Sequence, residues 1–471
     1  MNNNKTKSPF ISDLRDLDPR VHITFWLVTL IMVLLLSQQN LDSPNLTQIG
    51  KSFGLDPGNI RLFIGGKAYL GTTIVSSIAL IIFGYLTDKV NRKTLLVISA
   101  AISGAAYLVA PFAVTVDQYI IMRSAAGVGI GGIVPVMFSI TGDIFTERSR
   151  AAASGVIMVI INMGIGFGFV LGSVAGPENM LGWRGSFFLQ SILLLCVVAL
   201  FLAYGRFPLR GHAEKSLHDR LAEGKREYKE RIKLSDVKNI LTNPTNLVFI
   251  FASFFATFSG GFVQRFMVDA YATHGGISEM AAALFLMLVL SGTIIGDMLG
   301  GFFGDFLRKK NRVYPIYFAL TVPVAGTFLL FLFFSLPLTG GFAFPQVLLP
   351  VLIGFTGAAL IEVHIPIQKA MMLNVNVPEN RGTISAIIQT SAQMGFGAGA
   401  YLISLMGVRV AALLNREHTP FFDFQFAALL WLIPILSWAF IIFTGRRDED
   451  RAAALIGERA KKLEGNDSDQ T

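Results

Sequence analysis

Long apolar runs, separated by short polar segments, dominate the chain from about residue 23 to residue 444. Twelve runs reach the length of about 20 residues that a helix needs to cross a bilayer core. Backbone polar groups in lipid must bond within their own segment, and the period-two alternation of a membrane barrel is absent, so each run is predicted to be a helix. The predicted spans are residues 23–43, 62–86, 94–115, 117–142, 151–176, 184–205, 245–272, 279–304, 312–337, 345–374, 381–408 and 421–444.

The composition agrees with a protein that crosses the membrane many times. Of its 471 residues 53% are hydrophobic and 15% are charged, whereas a typical soluble domain has about 45–50% and about 25%. The single cysteine, Cys196, excludes an internal disulfide and is predicted to be buried in its apolar run. The net charge of +8 comes from basic residues clustered between apolar runs, so we expect membrane lipids as partners and no nucleic acid.

The basic residues also predict an orientation. With the N-terminus in the cytoplasm, the inner loops and tails hold 30 of the 39 Lys and Arg residues, and the outer loops hold five. Because cytoplasmic loops carry an excess of Lys and Arg, both termini are predicted to be cytoplasmic in a cell membrane, with a bacterial inner membrane expected. The predicted parts are a tail (1–22), a six-helix bundle (23–205), a cytoplasmic linker with an amphipathic helix (206–244), a second bundle (245–445) and a tail (446–471).

The two predicted bundles carry a repeated sequence. The stretch PVMFSITGDIFTERSRAAASGVIMVIINMGIGFG begins at Pro135 and aligns with PIQKAMMLNVNVPENRGTISAIIQTSAQMGFGAG, which begins at Pro366, at a constant offset of 231. The loop FGYLTDKVNRK between spans 2 and 3 has a partner, GGFFGDFLRKKNR, between spans 8 and 9. The sequence therefore predicts an all-α integral membrane protein with two pseudo-symmetric six-helix bundles and a solute site near the bilayer midplane between them.

The stretch GYLTDKVNRK, from Gly84 to Lys93, resembles the signature loop of the major facilitator superfamily, G-x-L-x-D-[RK]-x-G-[RK]-[RK]. Asn91 stands where the family has glycine, and we expect it to adopt the left-handed conformation of a turn. Gly84 is expected to let two helices approach. Asp88 is expected to pair with Arg92 or to cap a neighbouring helix, as a latch between two states of the protein.

Four further stretches support this resemblance, which runs from about residue 23 to 445. RSAAGVGIGGIVP, from Arg123, resembles the family's fourth-span motif R-x-x-x-G-x-G, and Asp143, Arg148 and Arg150 fit the loop that follows it. The glycine-rich fifth span and the start of the sixth fit as well. The resemblance implies the major facilitator fold, and conformational-gate roles for Gly84, Asp88, Arg92, Asp143, Arg150, Gly301, Asp305 and Arg381.

Two subfamilies are indicated. The stretch from Asn40 to Leu55 looks like the first span of spinster-type lipid transporters, which carry Asp-Arg where this chain has Asp42-Ser43. That family also has a carboxylate in span 4 that is missing here. GIGGIVP in span 4 resembles the aromatic-acid and sugar-type members instead.

Ionisable residues inside predicted spans are costly, so each is a candidate for function. Asp42, Lys67 and Arg123 lie at similar outer depths in the first bundle, and Asp42 is expected to pair with either cation. In the second bundle Arg265 can pair with Asp269. The remaining candidates for substrate binding or proton coupling are Gln39, Asn40, Glu362, His364, Lys369 and Gln393, of which Glu362 lies nearest the midplane.

These residues predict a secondary active transporter that moves a small organic solute by alternating access and is coupled to protons or another ion. The cationic cluster in the predicted outer half favours an anionic or zwitterionic solute. A spinster-like exporter or flippase of lysolipids and a transporter-fold receptor without flux are the alternatives. We expect a monomer that is not an enzyme. No cofactor or metal is expected, since no phosphate loop or metal-ligand spacing occurs.

Overall fold

The computed structural model describes residues 19–87, 89–145, 150–206, 240–336, 344–377, 380–414 and 419–468. These residues contain twelve helices that are long and apolar enough to cross a membrane, which confirms the predicted all-α class and the number of spans. The chain divides into two compact units, Met1–Tyr228 and Lys229–Thr471. Residues 207–239, where the amphipathic linker helix was expected, lie outside the described residues.

The first unit contains spans 1 to 6. Span 1 is the helix Pro19–Ser37, and a short helix, Leu46–Ser52, follows it. Span 2 begins as a π-helix, Ile60–Lys67, and continues as the α-helix Ala68–Thr87. The other spans are Arg92–Val109, Val116–Ile144, Arg150–Ala175 and Gly182–Tyr204.

The second unit contains spans 7 to 12. Two of its spans are interrupted: span 10 breaks between Phe344–Glu362 and His364–Asn374, and span 12 breaks between Pro420–Leu430 and Leu432–Ser468. The second of these helices continues to Ser468, so most of the predicted C-terminal tail is helical. The uninterrupted spans are Pro244–His274, Glu279–Lys310, Tyr314–Ser335 and Arg381–Leu413.

The same pairs of spans pack together in both units. In the first unit span 1 packs on span 5, span 2 on span 4, and span 3 on span 6. In the second unit span 7 packs on span 11, span 8 on span 10, and span 9 on span 12. Each contact therefore has a counterpart six spans later, as the sequence repeat predicts.

Glycines at the 231-residue offset make matching helix contacts. In span 5, a Cβ atom at Gly168 would overlap the carbonyl oxygen of Ser37 in span 1. In span 11, a Cβ atom at Gly399 would overlap the carbonyl oxygen of Phe258 in span 7. Only a residue without a side chain lets two helix backbones approach this closely, and such contacts drive helix association in lipid. The repeat is thus preserved at the positions that set the distance between spans.

Polar caps fix where several spans begin. Asn243 accepts hydrogen bonds from the backbone N–H groups of Thr245 (3.0 Å) and Asn246 (3.2 Å), at the first turn of span 7. The buried carboxylate of Asp448, beyond the apolar part of span 12, accepts from Thr245 as well, at 2.7 Å from its hydroxyl and 3.2 Å from its N–H. These groups satisfy N–H donors that a helix start leaves unpaired. Asp448 of the last helix thereby helps to cap the start of span 7.

Three local expectations are wrong. Asn91 has φ −62° and ψ 122°, and its side chain accepts from the Lys93 N–H, so it caps span 3 rather than forming a left-handed turn. Cys196 is exposed on the surface of span 6, because an apolar face that meets lipid need not be buried in protein. Span 1 stops being helical at Ser37, inside the predicted run 23–43.

Gly168→Ala is expected to destabilise the first unit, because the new methyl group overlaps the span 1 backbone. Overpacking of this kind costs about 1–3 kcal/mol, which corresponds to a loss of roughly 2–10 °C in melting temperature. Thermal unfolding of the purified protein measures it. Gly84→Ala is the matched control in the same unit, since a Cβ atom there meets nothing within 4 Å. Equal melting temperatures for the two variants would contradict the contact.

Candidate functional site

The chain is irregular at Gln38–Asp42, directly after the first helix ends. There the N–H of Gln39 bonds to the carbonyl of Leu36 at 3.1 Å, and the N–H of Asn45 bonds to the carbonyl of Asp42 at 3.0 Å. These are tight three-residue turns, which leave carbonyl oxygens without the partner that a continuing α-helix supplies. Irregular backbone inside a membrane protein has to be satisfied by other protein groups.

Arg123 of span 4 supplies those groups. Its Nε and Nη2 atoms donate to the two carboxylate oxygens of Asp42, at 2.9 and 3.0 Å. Its Nη1 donates to the carbonyl of Gln38 at 3.1 Å and to the hydroxyl of Tyr107 at 2.7 Å, and its Nη2 reaches the carbonyl of Gln39 at 3.3 Å. Every N–H donor of the guanidinium is therefore engaged. Both charged side chains are 0% exposed.

Aromatic residues enclose this ion pair. Tyr119 donates to a carboxylate oxygen of Asp42 at 2.7 Å, and Tyr107 donates to the carbonyl of Gln38. The Tyr107 ring stacks on Phe187 with centroids 4.6 Å apart, and Trp183 meets Tyr119 edge to face at 5.9 Å. The removal of two charges from water is costly, and it is repaid only by close geometry and further hydrogen bonds, both of which this site provides.

Sequence reasoning missed the two tyrosines. Tyr119 lies four residues before Arg123 on one helix, so the helical period places both on one face and offers a signal that was overlooked. Tyr107 lies on span 3, and nothing local connects it to Arg123. Of the two pairings expected for Asp42, the structure forms the one with Arg123. The exposed Lys67 has its Nζ 3.9 Å from a carboxylate oxygen of Asp117.

The neighbouring amides of the irregular stretch are also buried. The side chain of Gln38 donates to Gln190 of span 6 at 3.0 Å, and that of Gln39 donates to the hydroxyl of Tyr69 in span 2 at 2.9 Å. The amide atoms of Asn40 are buried and have no hydrogen-bond partner among the described residues. The stretch thus connects span 1 to spans 2, 4 and 6 through polar contacts.

The second unit holds a different charged group at the break in span 10. Pro366 lacks an N–H and its ring clashes with the carbonyl four residues earlier, which belongs to Glu362, so the helix breaks at this point. Glu362 interacts electrostatically with Asp297 of span 8 and with Lys369. Span 8 approaches closely because Gly296 lies against the backbone of span 10. Glu362, Lys369 and Asp297 thus lie within range of one another's charge.

The remaining candidates in the second unit lie on several spans. Arg265 of span 7 is completely buried, and so is Asp423 near the start of span 12, an acid that the sequence analysis did not select. Gln393 of span 11 is half-buried, and Lys369 is exposed. His364 is buried on the other side of the span 10 break.

The two loop glycines that were expected to bring helices together do not do so. Asp88 lies outside the described residues, as do the side chains of Asp143 and Arg150. A Cβ atom at Gly84 meets nothing within 4 Å, and one at Gly301 makes only an ordinary contact at 3.9 Å. The expected close approach of helices is therefore not at these glycines. In span 8 the close approach of helices lies one residue earlier, at Gly300, which packs against the carbonyl of Val363 in span 10.

In each unit one or two basic residues of the loop contact the end of the last span of that unit. Lys93 donates to the carbonyls of Leu202 (3.2 Å) and Gly205 (2.9 Å), where span 6 ends. In the second unit, Arg308 pairs with Glu449, and Arg312 pairs with Asp450 at 3.3 Å.

Three other gate residues are described by the structure. The described residues place Asp305 on the surface and Arg92 half-buried. Arg381 donates to the carbonyls of Leu373 (2.9 Å) and Asn376 (3.3 Å), at the end of span 10.

Comparisons with known proteins agree with this architecture. The family model of the Major Facilitator Superfamily matches residues 25–400. The sphingosine-1-phosphate transporter SPNS2 of Danio rerio is 23% identical over 402 residues, which cover 81% of this chain and 77% of that protein. The benzoate transport protein of Acinetobacter baylyi is 23% identical over 402 residues, 79% of each chain. The crystal structure of a bacterial homologue of the human lysosomal transporter spinster superposes with a TM-score of 0.74 at 16% identity, covering 92% of this chain and 99% of that one.

Asp42→Asn is expected to destabilise the protein strongly, because it leaves the buried guanidinium without its counter-charge. The removal of one partner of a buried pair costs about 3–5 kcal/mol, which corresponds to a fall of roughly 10 °C in melting temperature. Thermal unfolding measures the effect, and adding Arg123→Met to the variant should recover part of the loss.

Asp117→Asn is the matched control for that variant. Its carboxylate pairs with Lys67, and the Asp117 side chain is 83% exposed. Exposed ion pairs contribute about 1 kcal/mol or less to stability. If Asp42→Asn were as stable as Asp117→Asn, the buried pair would have no structural importance.

Proposed function

Because the chain belongs to the Major Facilitator Superfamily, we propose that it is a proton-coupled secondary transporter of an amphipathic organic anion, working by alternating access. The observation that carries the proposal is the Asp42–Arg123 pair, which is completely buried and hydrogen-bonded by the irregular stretch of span 1. The protein is proposed to act as a monomer in a bacterial inner membrane, with both termini in the cytoplasm and without enzymatic activity.

The pair links proton binding to anion binding. While Asp42 is ionised, its two oxygens occupy the Nε and Nη2 donors of Arg123. A proton on Asp42 removes the negative charge and leaves one carboxyl oxygen as a donor, so the guanidinium loses its counter-ion. An anionic group on the solute can then take the place of the carboxylate, because guanidinium binds planar oxyanions and phosphates through the same paired donors. Proton and anion therefore bind together rather than in competition.

The chemistry of the relatives supports this class of solute. By their names, one relative transports sphingosine-1-phosphate and another transports benzoate. These two compounds share an anionic group on an apolar body. An amphipathic anion is therefore proposed here, and its size, from aromatic acid to lysolipid, is decided by the experiment below.

Glu362 is proposed as a second protonation site. A carboxylate with another carboxylate beside it, Asp297, and with a nearby cation, Lys369, responds to the charge of both neighbours. Such clusters of acids within spans form proton pathways in transporters.

Reconstituted protein should accumulate a labelled amphipathic anion when a pH gradient is applied. The assay compares benzoate and sphingosine-1-phosphate in liposomes with the membrane potential clamped. Asp42→Asn is expected to lose gradient-driven accumulation, since its side chain no longer changes charge, while it keeps exchange of labelled for unlabelled solute. Asp117→Asn is the matched control and should accumulate solute normally.

The outcomes of this assay separate the alternatives. Accumulation that survives collapse of the pH gradient would rule out proton coupling. Movement of sphingosine-1-phosphate without movement of benzoate would indicate a lipid exporter, and the reverse result a small-solute carrier. Binding of either compound without exchange would indicate a sensor that retains the fold without flux.

Glu362→Gln is expected to flatten the dependence of transport on pH, because a neutral amide cannot take up the proton. The measurement is the initial rate of gradient-driven transport between pH 5 and 8. Asp117→Asn, which removes a carboxylate that is 83% exposed, serves as the control. An unchanged pH profile in Glu362→Gln would exclude Glu362 from the proton pathway.

A further inference from the structure

A buried polar cluster lies in the second unit, on the side of span 10 away from Glu362. His364 and Gln368 are four residues apart, so they share one face of the helix His364–Asn374. They are 3% and 4% exposed. Trp438 of span 12 is fully buried and meets the His364 ring edge to face, with centroids 6.0 Å apart. The charge clusters described above use none of the polar atoms of this group.

The hydrogen bonds fix the tautomer of His364. Its Nδ1 lies 2.7 Å from the carbonyl oxygen of Ile361. A carbonyl oxygen only accepts, so Nδ1 carries the proton in the neutral ring and Nε2 presents a lone pair. That Nε2 atom is buried and has no hydrogen-bond partner among the described residues.

The same reasoning fixes the amide of Gln368. Its Nε2 donates to the hydroxyl of Ser253 at 2.7 Å and to the carbonyl of Phe249 at 3.3 Å, both in span 7. Because the Phe249 carbonyl accepts only, the amide nitrogen must be on this side. The Gln368 Oε1 atom is left as an acceptor, buried and without a partner in the described part of the chain.

The cluster is thus short of hydrogen-bond donors. Two buried acceptors, His364 Nε2 and Gln368 Oε1, share one helix face. Of the polar atoms of His364, Gln368 and Trp438, one donor also lacks a hydrogen-bond partner among the described residues, the Nε1–H of Trp438. A buried acceptor without a donor carries a desolvation cost. The two acceptors are not bonded to each other in this structure, and an added proton on His364 Nε2 supplies a donor one helical turn from the Gln368 acceptor.

We propose that His364 and Gln368 form a proton-binding site at the break of span 10, in which the proton binds His364 Nε2 and the resulting N–H donates to Gln368 Oε1. The site extends the proposed proton coupling to a second group in this unit. The ligand is a proton, and Gln368 is a positioning residue that stabilises the imidazolium. No bond other than this N–H forms or breaks.

The surroundings of His364 are uncharged. Span 7 contributes Phe249 and Ser253 to the cluster, and span 12 contributes Trp438. Spans 9 and 11 contribute apolar buried residues to the core around this helix, among them Ala319 and Ile384.

The nearest charges lie elsewhere on span 10 and its neighbours. Glu362 and Lys369 interact with Asp297 of span 8, and Lys369 is exposed whereas His364 is buried. Arg381 of span 11 bonds to carbonyls at the far end of the helix. Among the described residues no charged group contacts His364, so no counter-ion holds or repels a proton on its ring.

Trp438 provides a direct readout, because a protonated imidazole beside an indole quenches its fluorescence. The full-length protein in lipid nanodiscs, with Trp26, Trp183 and Trp431 replaced by Phe, is titrated from pH 8 to pH 4. As the pH is lowered, the fluorescence emission of Trp438 is expected to fall along a titration curve for the binding of one proton. It should be lost in His364→Gln and retained in the control His274→Gln, which changes an exposed histidine of the same unit.

Gln368 variants test the proposed acceptor. In Gln368→Leu the midpoint should move to lower pH by about one to two units, the size of one hydrogen bond to a charged group. In Gln368→Glu it should move to higher pH, because a carboxylate favours the imidazolium. If the tryptophan-reduced protein does not fold, the difference between the titrations of wild type and His364→Gln gives the same signal.

A transition that persists in His364→Gln, or a midpoint that is the same in both Gln368 variants, overturns the site. The titration requires no flux. If the protein shows the fluorescence transition but no transport, the proposed function is rejected and the proton site is retained. If it transports solute but shows no fluorescence transition, the proton site is rejected and the proposed function is retained.

Discussion

The first unit depends on one arginine that satisfies an interrupted helix. Span 1 ends at Ser37, and its next carbonyls accept from the guanidinium of Arg123, which also holds the carboxylate of Asp42. Neither half of this arrangement is stable alone, because an unpaired carbonyl and an unpaired charge are both costly in a membrane interior. The interruption and the ion pair therefore require each other. A movement of Arg123 away from Asp42 would also remove the donors of the span 1 carbonyls.

The two units solve the same packing problem with different chemistry. Matching spans pair in both, and Gly168 and Gly399 set equivalent distances. The charges of the described residues do not follow the repeat. The first unit encloses the Asp42–Arg123 pair, whereas the second has polar groups on both sides of the span 10 break and also buries Arg265 in span 7 and Asp423 in span 12. The distance between packed spans depends on glycines, and these are kept in both copies of the repeat. Charged residues can change in one copy without disturbing this packing.

The fold was predictable because its signals are local and repeated. Apolar runs gave the spans, and the 231-residue offset gave the two bundles. The site was predictable only in part. The cost of charge in lipid selected Asp42 and Arg123, but the roles of Tyr107 and Gln368 arise from contacts between distant spans, which no periodicity reports. Asn91 was misjudged because asparagine serves both as a turn residue and as a helix cap, and only the following residues decide between them.

The carboxylate of Asp448 has a consequence for the making of the protein. It closes the start of span 7, more than two hundred residues earlier in the chain. During synthesis the seventh span must therefore enter the membrane with that contact unmade, because Asp448 is translated 203 residues after Thr245. The second unit can reach its final form only once span 12 has been made, so the loss of Asp448 would be felt first at the start of span 7.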